Sequence, residues 1–126
     1  MARTFARWGA MFGFFAVALG AFGAHGLRDR LSSESMAVFQ TGVQYQMIHA
    51  LALLGLAALF DKAKFAGAVG WLFVFGVLIF SGSLYLLAIT GERWIGAVTP
   101  FGGLCFLAGW ALLTIAIAKN PKASDA

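Results

Sequence analysis

Residues 65–91 read FAGAVGWLFVFGVLIFSGSLYLLAITG, and no charged side chain interrupts them. A helix needs about 20 predominantly apolar residues to cross the ~30 Å hydrocarbon core of a bilayer, so this run is long enough to span. Lys62 and Lys64 stand before it and Glu92 and Arg93 after it. Charges so placed mark where a membrane segment meets water.

Three further uncharged runs lie on either side. Residues 8–26 follow Arg3 and Arg7. Residues 36–60 follow a polar connector, 27–35, that carries Arg28, Asp29, Arg30 and Glu34, and they end at Asp61. Residues 94–118 precede a tail with Lys119, Pro121, Lys122 and Asp125. The reading is an all-α membrane protein: a four-transmembrane-helix bundle forming a single transmembrane domain over residues 1–126. Its helices are expected near 8–26, 36–60, 65–90 and 95–118, with no linker long enough to divide domains.

Composition agrees. Of 126 residues 61% are hydrophobic and 11% charged, against roughly 45–50% and about 25% in soluble domains, and mean hydropathy is +0.86. Such a chain has no room for a soluble catalytic domain and is neither disordered nor disulfide-built. Its one cysteine, Cys105, has no intrachain partner. The net charge of +4 is scattered over tails and loops, so no nucleic-acid partner is expected. Arg3 and Arg7 ahead of a run containing Ala16, Ala18 and Ala21 also fit a signal peptide. The run reaches Gly26 at nearly spanning length, and the first helix is expected to be retained.

Orientation follows from the Lys and Arg residues. Four spans place Arg3, Arg7, Lys62, Lys64, Lys119 and Lys122 on one side and Arg28, Arg30 and Arg93 on the other, six against three. Positive charge favours the cytoplasm. Both termini are therefore expected there, with the chain in a bacterial cytoplasmic (inner) membrane. Gly9 and Gly13, continued by Ala16, Gly20 and Ala24, set small residues four apart. That spacing lets helix backbones approach and is read as packing within one bundle. Ser32 or Ser33 is expected to cap the second helix.

Depth is the informative feature of the polar residues. At ~1.5 Å per residue, His25 falls near the outer surface, and Gln40, Thr41, Gln44, Tyr45, Gln46 and His49 fall in the outer part of the second helix. Ser81, Ser83, Tyr85 and Thr90 close the third helix, and Thr99 and Pro100 open the fourth. The remaining stretches, 51–60, 65–80 and 104–113, read as nearly pure hydrocarbon. His25, Gln46, His49, Ser83, Tyr85 and Thr99 are therefore the candidate site, either as a polar pocket or as a connected hydrogen-bond network. On the second helix, Thr41, Tyr45, His49 and Ala52 share one face, with Gly42 and Gln46 at its flank.

Chemistry beyond binding finds little support. The two histidines are placed about 7 Å apart in depth, against a shared haem. No Cys/His cluster, H-E-x-x-H or intramembrane carboxylate is present. Ser81 and Ser83 lack a nucleophile-elbow setting, and S-G-S reads as ordinary helix packing. The stretch 20–26 lacks the Lys and Ser/Thr of a phosphate loop. No metal, cofactor or catalytic residue is assigned, and the evidence for an enzyme is thin.

Gly20–Ala21–Phe22–Gly23–Ala24–His25, Phe39–Gln40–Thr41 and Tyr45–Gln46–Met47–Ile48–His49 recur in a known order with Phe80–Ser81–Gly82–Ser83–Leu84–Tyr85 and Thr90–Gly91. Thr99–Pro100–Phe101–Gly102–Gly103 and Gly109–Trp110 complete the set. Together they resemble the small membrane proteins of domain of unknown function 423, whose animal relatives are small mitochondrial or other organellar membrane proteins. The resemblance implies four helices and a membrane location, and it carries over no catalytic residue.

Two function classes stay open. One is an integral membrane protein that binds a small polar ligand or lipid headgroup in an outer-half polar pocket. The other is an accessory or structural membrane protein whose polar residues lock helix packing or dock a partner subunit. Membrane lipids, with a homo-oligomer or a membrane-protein partner, are the expected company. On the purely structural reading, His49→Leu should be nearly neutral for folding; on the binding reading it should spare folding and abolish ligand retention.

Overall fold

The computed structural model describes residues 1–119, apart from the side chains of Ala24, Ala118 and Lys119. Lys122, counted for orientation above, and the rest of the tail lie outside the described residues, as does the side chain of Lys119.

The described chain is all helical. Helix α1 is Ala2–Gly26, α2 is Ser33–Ala58, α3 is Ala66–Gly76, α4 is Gly82–Thr90 and α5 is Thr99–Lys119. A π turn, Val77–Ser81, joins α3 to α4 in one continuous helix, and 3₁₀ turns at Phe60–Lys62 and Arg93–Ala97 precede α3 and α5. Three stretches are long and apolar enough to cross a membrane: Ala2–Gly23, Ala66–Thr90 and Arg93–Ile117. Helix α2 has the length, but Gln40, Gln44, Gln46 and His49 lower its apolar character.

The helix ends have local causes. Arg3 and Arg7 lie inside α1, ahead of the expected start at residue 8, because arginine is a good helix former and marks a membrane boundary without stopping a helix. The Ser32 side chain accepts a hydrogen bond from the Ser35 N–H at 3.0 Å. It is the N-cap, and α2 starts at Ser33 rather than 36. Gly91, at φ 72°, ends α4 with its N–H donating to the Leu87 carbonyl; glycine takes this left-handed position at little cost. Pro100 sits in the first turn of α5, where its missing N–H leaves no bond unmade.

Packing is built from aromatic rings laid on glycines. Phe39 of α2 covers Gly23 of α1, and Phe5 of α1 covers Gly70 of α3. Between the third helix and α5 the exchange is mutual, with Phe106 over Gly76 and Phe73 over Gly109. In two places backbone meets backbone. A Cβ on Gly9 would come within 2.8 Å of the Ala50 carbonyl oxygen, and one on Gly102 would run into the backbone of Phe80. Gly9, Gly13, Gly20 and Gly23 all face α2, so the small-residue stripe of α1 serves contact within the bundle. Van der Waals contact of this kind holds helices together where lipid tails remove the hydrophobic drive between them. Phe5, Phe12, Leu53, Leu56, Val69, Phe73 and Phe106 form the buried core.

Candidate functional site

Helix α2 is the polar axis of the bundle. Its buried face runs through Phe39, Gly42, Gln46, His49, Ala50 and Leu53. Thr41 and Tyr45 lie at the edge of that face rather than on it: the Thr41 hydroxyl bonds back to the Ala37 carbonyl, and Tyr45 is 39% exposed.

Gln46 joins three helices. Its Nε2 donates to the Phe12 carbonyl of α1 at 2.8 Å, and its Oε1 accepts from the Tyr85 hydroxyl of α4 at 2.7 Å. Side chains lean toward the N-terminus of their own helix, which aims Tyr85 along α4 toward Gln46. Gly42 makes the reach possible. The Tyr85 ring lies across it, and a Cβ there would be 2.7 Å from that ring. The Gly42 carbonyl accepts from the fully buried Ser81 hydroxyl at 2.7 Å. One glycine thus gives α2 contact with both the π turn and α4.

His49, 3% exposed, faces α5. Its ring stacks on Phe106 with centroids 3.7 Å apart and planes within 10°. Trp110 Nε1 donates to His49 Nε2 at 3.0 Å, and His49 Nδ1 lies 2.8 Å from the Tyr45 carbonyl. An indole N–H only donates and a carbonyl only accepts. Nε2 is therefore the acceptor and Nδ1 carries the hydrogen, which fixes the neutral tautomer. Both ring nitrogens are engaged, so ligating a metal or passing a proton requires breaking one of these bonds. The fourth junction is near the start of α5. The Ser83 hydroxyl donates to the Phe80 carbonyl at 2.9 Å and lies 2.6 Å from the Thr99 hydroxyl, which leaves Thr99 as the donor of that pair.

Five of the six candidate residues are thus bound into interhelical contacts: Gln46 with Tyr85, Ser83 with Thr99, and His49 with a residue from the run read as hydrocarbon. They form separate junctions rather than one open pocket. Among the described residues, no buried side-chain N or O lacks a partner. His25 does not join them. It is exposed in the last turn of α1 and makes no side-chain hydrogen bond to the described residues. The level of α1 that meets Ala50 is Gly9 and Gly13, so His25 is about 20 Å along the axis from His49 at 1.5 Å per residue. The separation of about 7 Å read from the sequence was too small, because α1 begins well before residue 8 and α2 before residue 36.

Trp110, Ser81 and the Phe12 carbonyl are partners the sequence reading missed. Trp110 carried a signal: an indole N–H inside an apolar run needs an acceptor that lipid cannot supply. A backbone carbonyl carries none.

The His49–Trp110 bond corrects one expectation. His49→Leu should not be neutral, because it leaves the Trp110 N–H without an acceptor. A loss of about 1–3 kcal/mol is expected from such an orphaned donor, and Trp110→Phe in the same chain should recover part of it. Unfolding in detergent of the wild type, the two single variants and the double variant measures the coupling; strict additivity would contradict the bond.

Beside this junction a groove of about 510 Å³ opens on the flank of the bundle between α2 and α5. Tyr45, His49, Phe80, Pro100, Gly103 and Phe106 are among the residues that line it, with Trp110 at one end. The Tyr45 hydroxyl has no hydrogen-bond partner among the described residues.

The family model described as "Protein of unknown function (DUF423)" matches residues 19–103. The chain is 44% identical over 120 residues to the UPF0382 membrane protein YwdK of Bacillus subtilis (strain 168), covering 93% of this chain and 98% of the relative. It is 44% identical over 118 residues to the UPF0382 membrane protein SSP2132 of Staphylococcus saprophyticus, covering 93% and 98%. With the UPF0382 inner membrane protein YgdD of Escherichia coli (strain K12) it shares 47% identity over 109 residues, covering 84% of this chain and 82% of the relative. No solved structure matches the chain. Identity at this level across nearly whole chains, in an all-helical protein with three helices able to cross a bilayer, makes this an integral membrane protein that belongs to the DUF423 (UPF0382) family.

Proposed function

We propose that this is a four-span protein of the bacterial inner membrane, one transmembrane domain with both termini in the cytoplasm. Its working site on this reading is the aromatic groove between α2 and α5, filled from the bilayer by a neutral lipid with an acceptor oxygen. The Escherichia coli relative, named as an inner membrane protein, supports the compartment. The fourth span on this reading is α2, whose Gln46 and His49 turn inward to partners on other helices, as membrane helices require. The six-to-three division of Lys and Arg supports the orientation.

One observation carries the binding reading. The polar groups of the four junctions are already satisfied, whereas the Tyr45 hydroxyl stands unpartnered at an aromatic groove of ligand size. Pockets that hold small molecules are mostly apolar with few placed polar groups. The accessory reading draws on the same satisfied junctions: they lock the bundle whether or not anything enters the groove.

Native mass spectrometry of the purified full chain separates the two. A neutral lipid retained by the wild type, weakened by Tyr45→Phe and lost in Gly103→Leu, which fills the groove, is the expected result. Retention of nothing, or equal retention by all three proteins, leaves the accessory reading. Cysteine accessibility at the tails and at the Lys62 loop tests the topology, and labelling of any of these from the outer face overturns it.

A further inference from the structure

Helix α2 has a second face that the bundle does not use. Ala37, Thr41, Gln44, Ile48, Leu51, Gly55 and Ala58 alternate at spacings of four and three, the a/d pattern of a left-handed helix pair. All are exposed except Thr41, which is half-buried. Gln44 lies on this seam and Gln40 at its flank. Neither amide has a hydrogen-bond partner among the described residues, in contrast to Gln46, two residues after Gln44 and on the buried face. Gly55 also stands apart from the packing glycines, since a Cβ there would meet nothing within 4 Å.

A glutamine amide that faces hydrocarbon on a spanning helix leaves two donors and an acceptor without partners, and the bilayer offers none. We propose that this face is the seam of a parallel homodimer, in which Gln44 exchanges N–H···O bonds with the partner's Gln44. The occupant is a second copy because the amide is complementary to itself. Across a two-fold axis along the membrane normal, each carbonyl meets the other's N–H, and copies inserted in the same direction bring identical levels of α2 together. Ala37, Gly55 and Ala58 are small enough for close approach. The leucine and isoleucine between them supply the knobs. Gln44, the one amide of the seam, also fixes the register, as a single asparagine does in coiled coils; the Thr41 hydroxyl is already bonded back to the Ala37 carbonyl.

This inference rests on α2 spanning the bilayer, so the test reads topology and association together. The full chain, carrying Cys105→Ser, is reconstituted in vesicles of phosphatidylethanolamine and phosphatidylglycerol. Single cysteines at Ile48 and Leu51 should form disulfide dimers on oxidation, while cysteines at Met47 and Leu104, off the seam, should not. Fluorescence energy transfer between labelled copies should show Gln44→Leu weakening association by about three- to twentyfold, the range measured for interhelical hydrogen bonds in a membrane. Gln44→Asn should keep most of it. Because Gln44 is exposed, the variant tests the seam without touching the core. Cysteines at Ser35 and Ala58 labelling from opposite faces, with no cross-link at Ile48 or Leu51, would overturn the dimer alone. Labelling of both from one face overturns the span and the dimer together. Energy transfer unchanged by Gln44→Leu also overturns it.

Discussion

Gly102→Ala should cost more stability than any other single methyl group added to this bundle. A Cβ at Gly102 has no flexible side chain to push aside, because it would overlap the backbone of Phe80 itself. Accommodating it means moving α5 away from the π turn, and that movement also strains the Ser83–Thr99 bond, since Thr99 lies within one turn of Gly102. Overpacking of a well-filled core typically costs about 1–3 kcal/mol, and occasionally more. Here the contact is backbone against backbone, so the upper end of that range is expected. Gly82→Ala is the control. It sits in the same helical hairpin, its Cβ would meet nothing within 4 Å, and replacing a helical glycine by alanine gains roughly 0.5–1 kcal/mol of helix stability. Thermal unfolding in detergent, followed by helical circular dichroism, should show the first variant falling well below the wild type and the second at or above it. Equal behaviour of the two would mean that α5 and the π turn are not in contact.

The contrast between those glycines marks what a sequence can show. Apolar runs, their charged ends, the Ser32 cap and the four-residue spacing of Gly9 and Gly13 are local, and the corresponding helices and contacts are present. Which glycine receives a ring, and which receives a backbone, depends on the facing helix. The π turn is less legible still: Val77–Ser81 holds no glycine or proline, so nothing local announces it. Among the candidate residues, polarity inside an apolar run points to partners, since a buried hydroxyl or amide must find one. It identified Gln46, His49, Ser83, Tyr85 and Thr99 as bonded residues, but not with whom they bond. It overlooked Ser81 because serine in an S-G-S run packs without comment in many helices. It included His25 because depth was measured from residue 8, whereas the register between α1 and α2 is set by glycines further down the bundle.

The Gln46–Tyr85 bond offers the sharper test of the frame, because it can be removed from either end. Gln46→Leu takes away the acceptor of the Tyr85 hydroxyl and the donor to Phe12, so α1 and α4 each lose a link to α2. Tyr85→Phe leaves the Gln46 Oε1, on a side chain only 4% exposed, without a donor. Each change should destabilise by about 1–3 kcal/mol, the cost of stranding a buried polar group. The double variant should not cost the sum. With both partners gone neither atom of the pair is stranded, so the double variant should cost less than the sum by a coupling of ~0.6–1.7 kcal/mol, as seen for membrane hydrogen bonds. Gly42→Ala supplies an independent arm. Its methyl would displace the Tyr85 ring without removing a polar atom, so it should cost most when Gln46 is present and less when Gln46 is already leucine. Unfolding free energies for this set, measured in bicelles, decide whether the three residues act as one unit. Additive losses would mean that Gln46 and Tyr85 stabilise their helices separately, and that the polar axis of α2 does not hold the bundle in register.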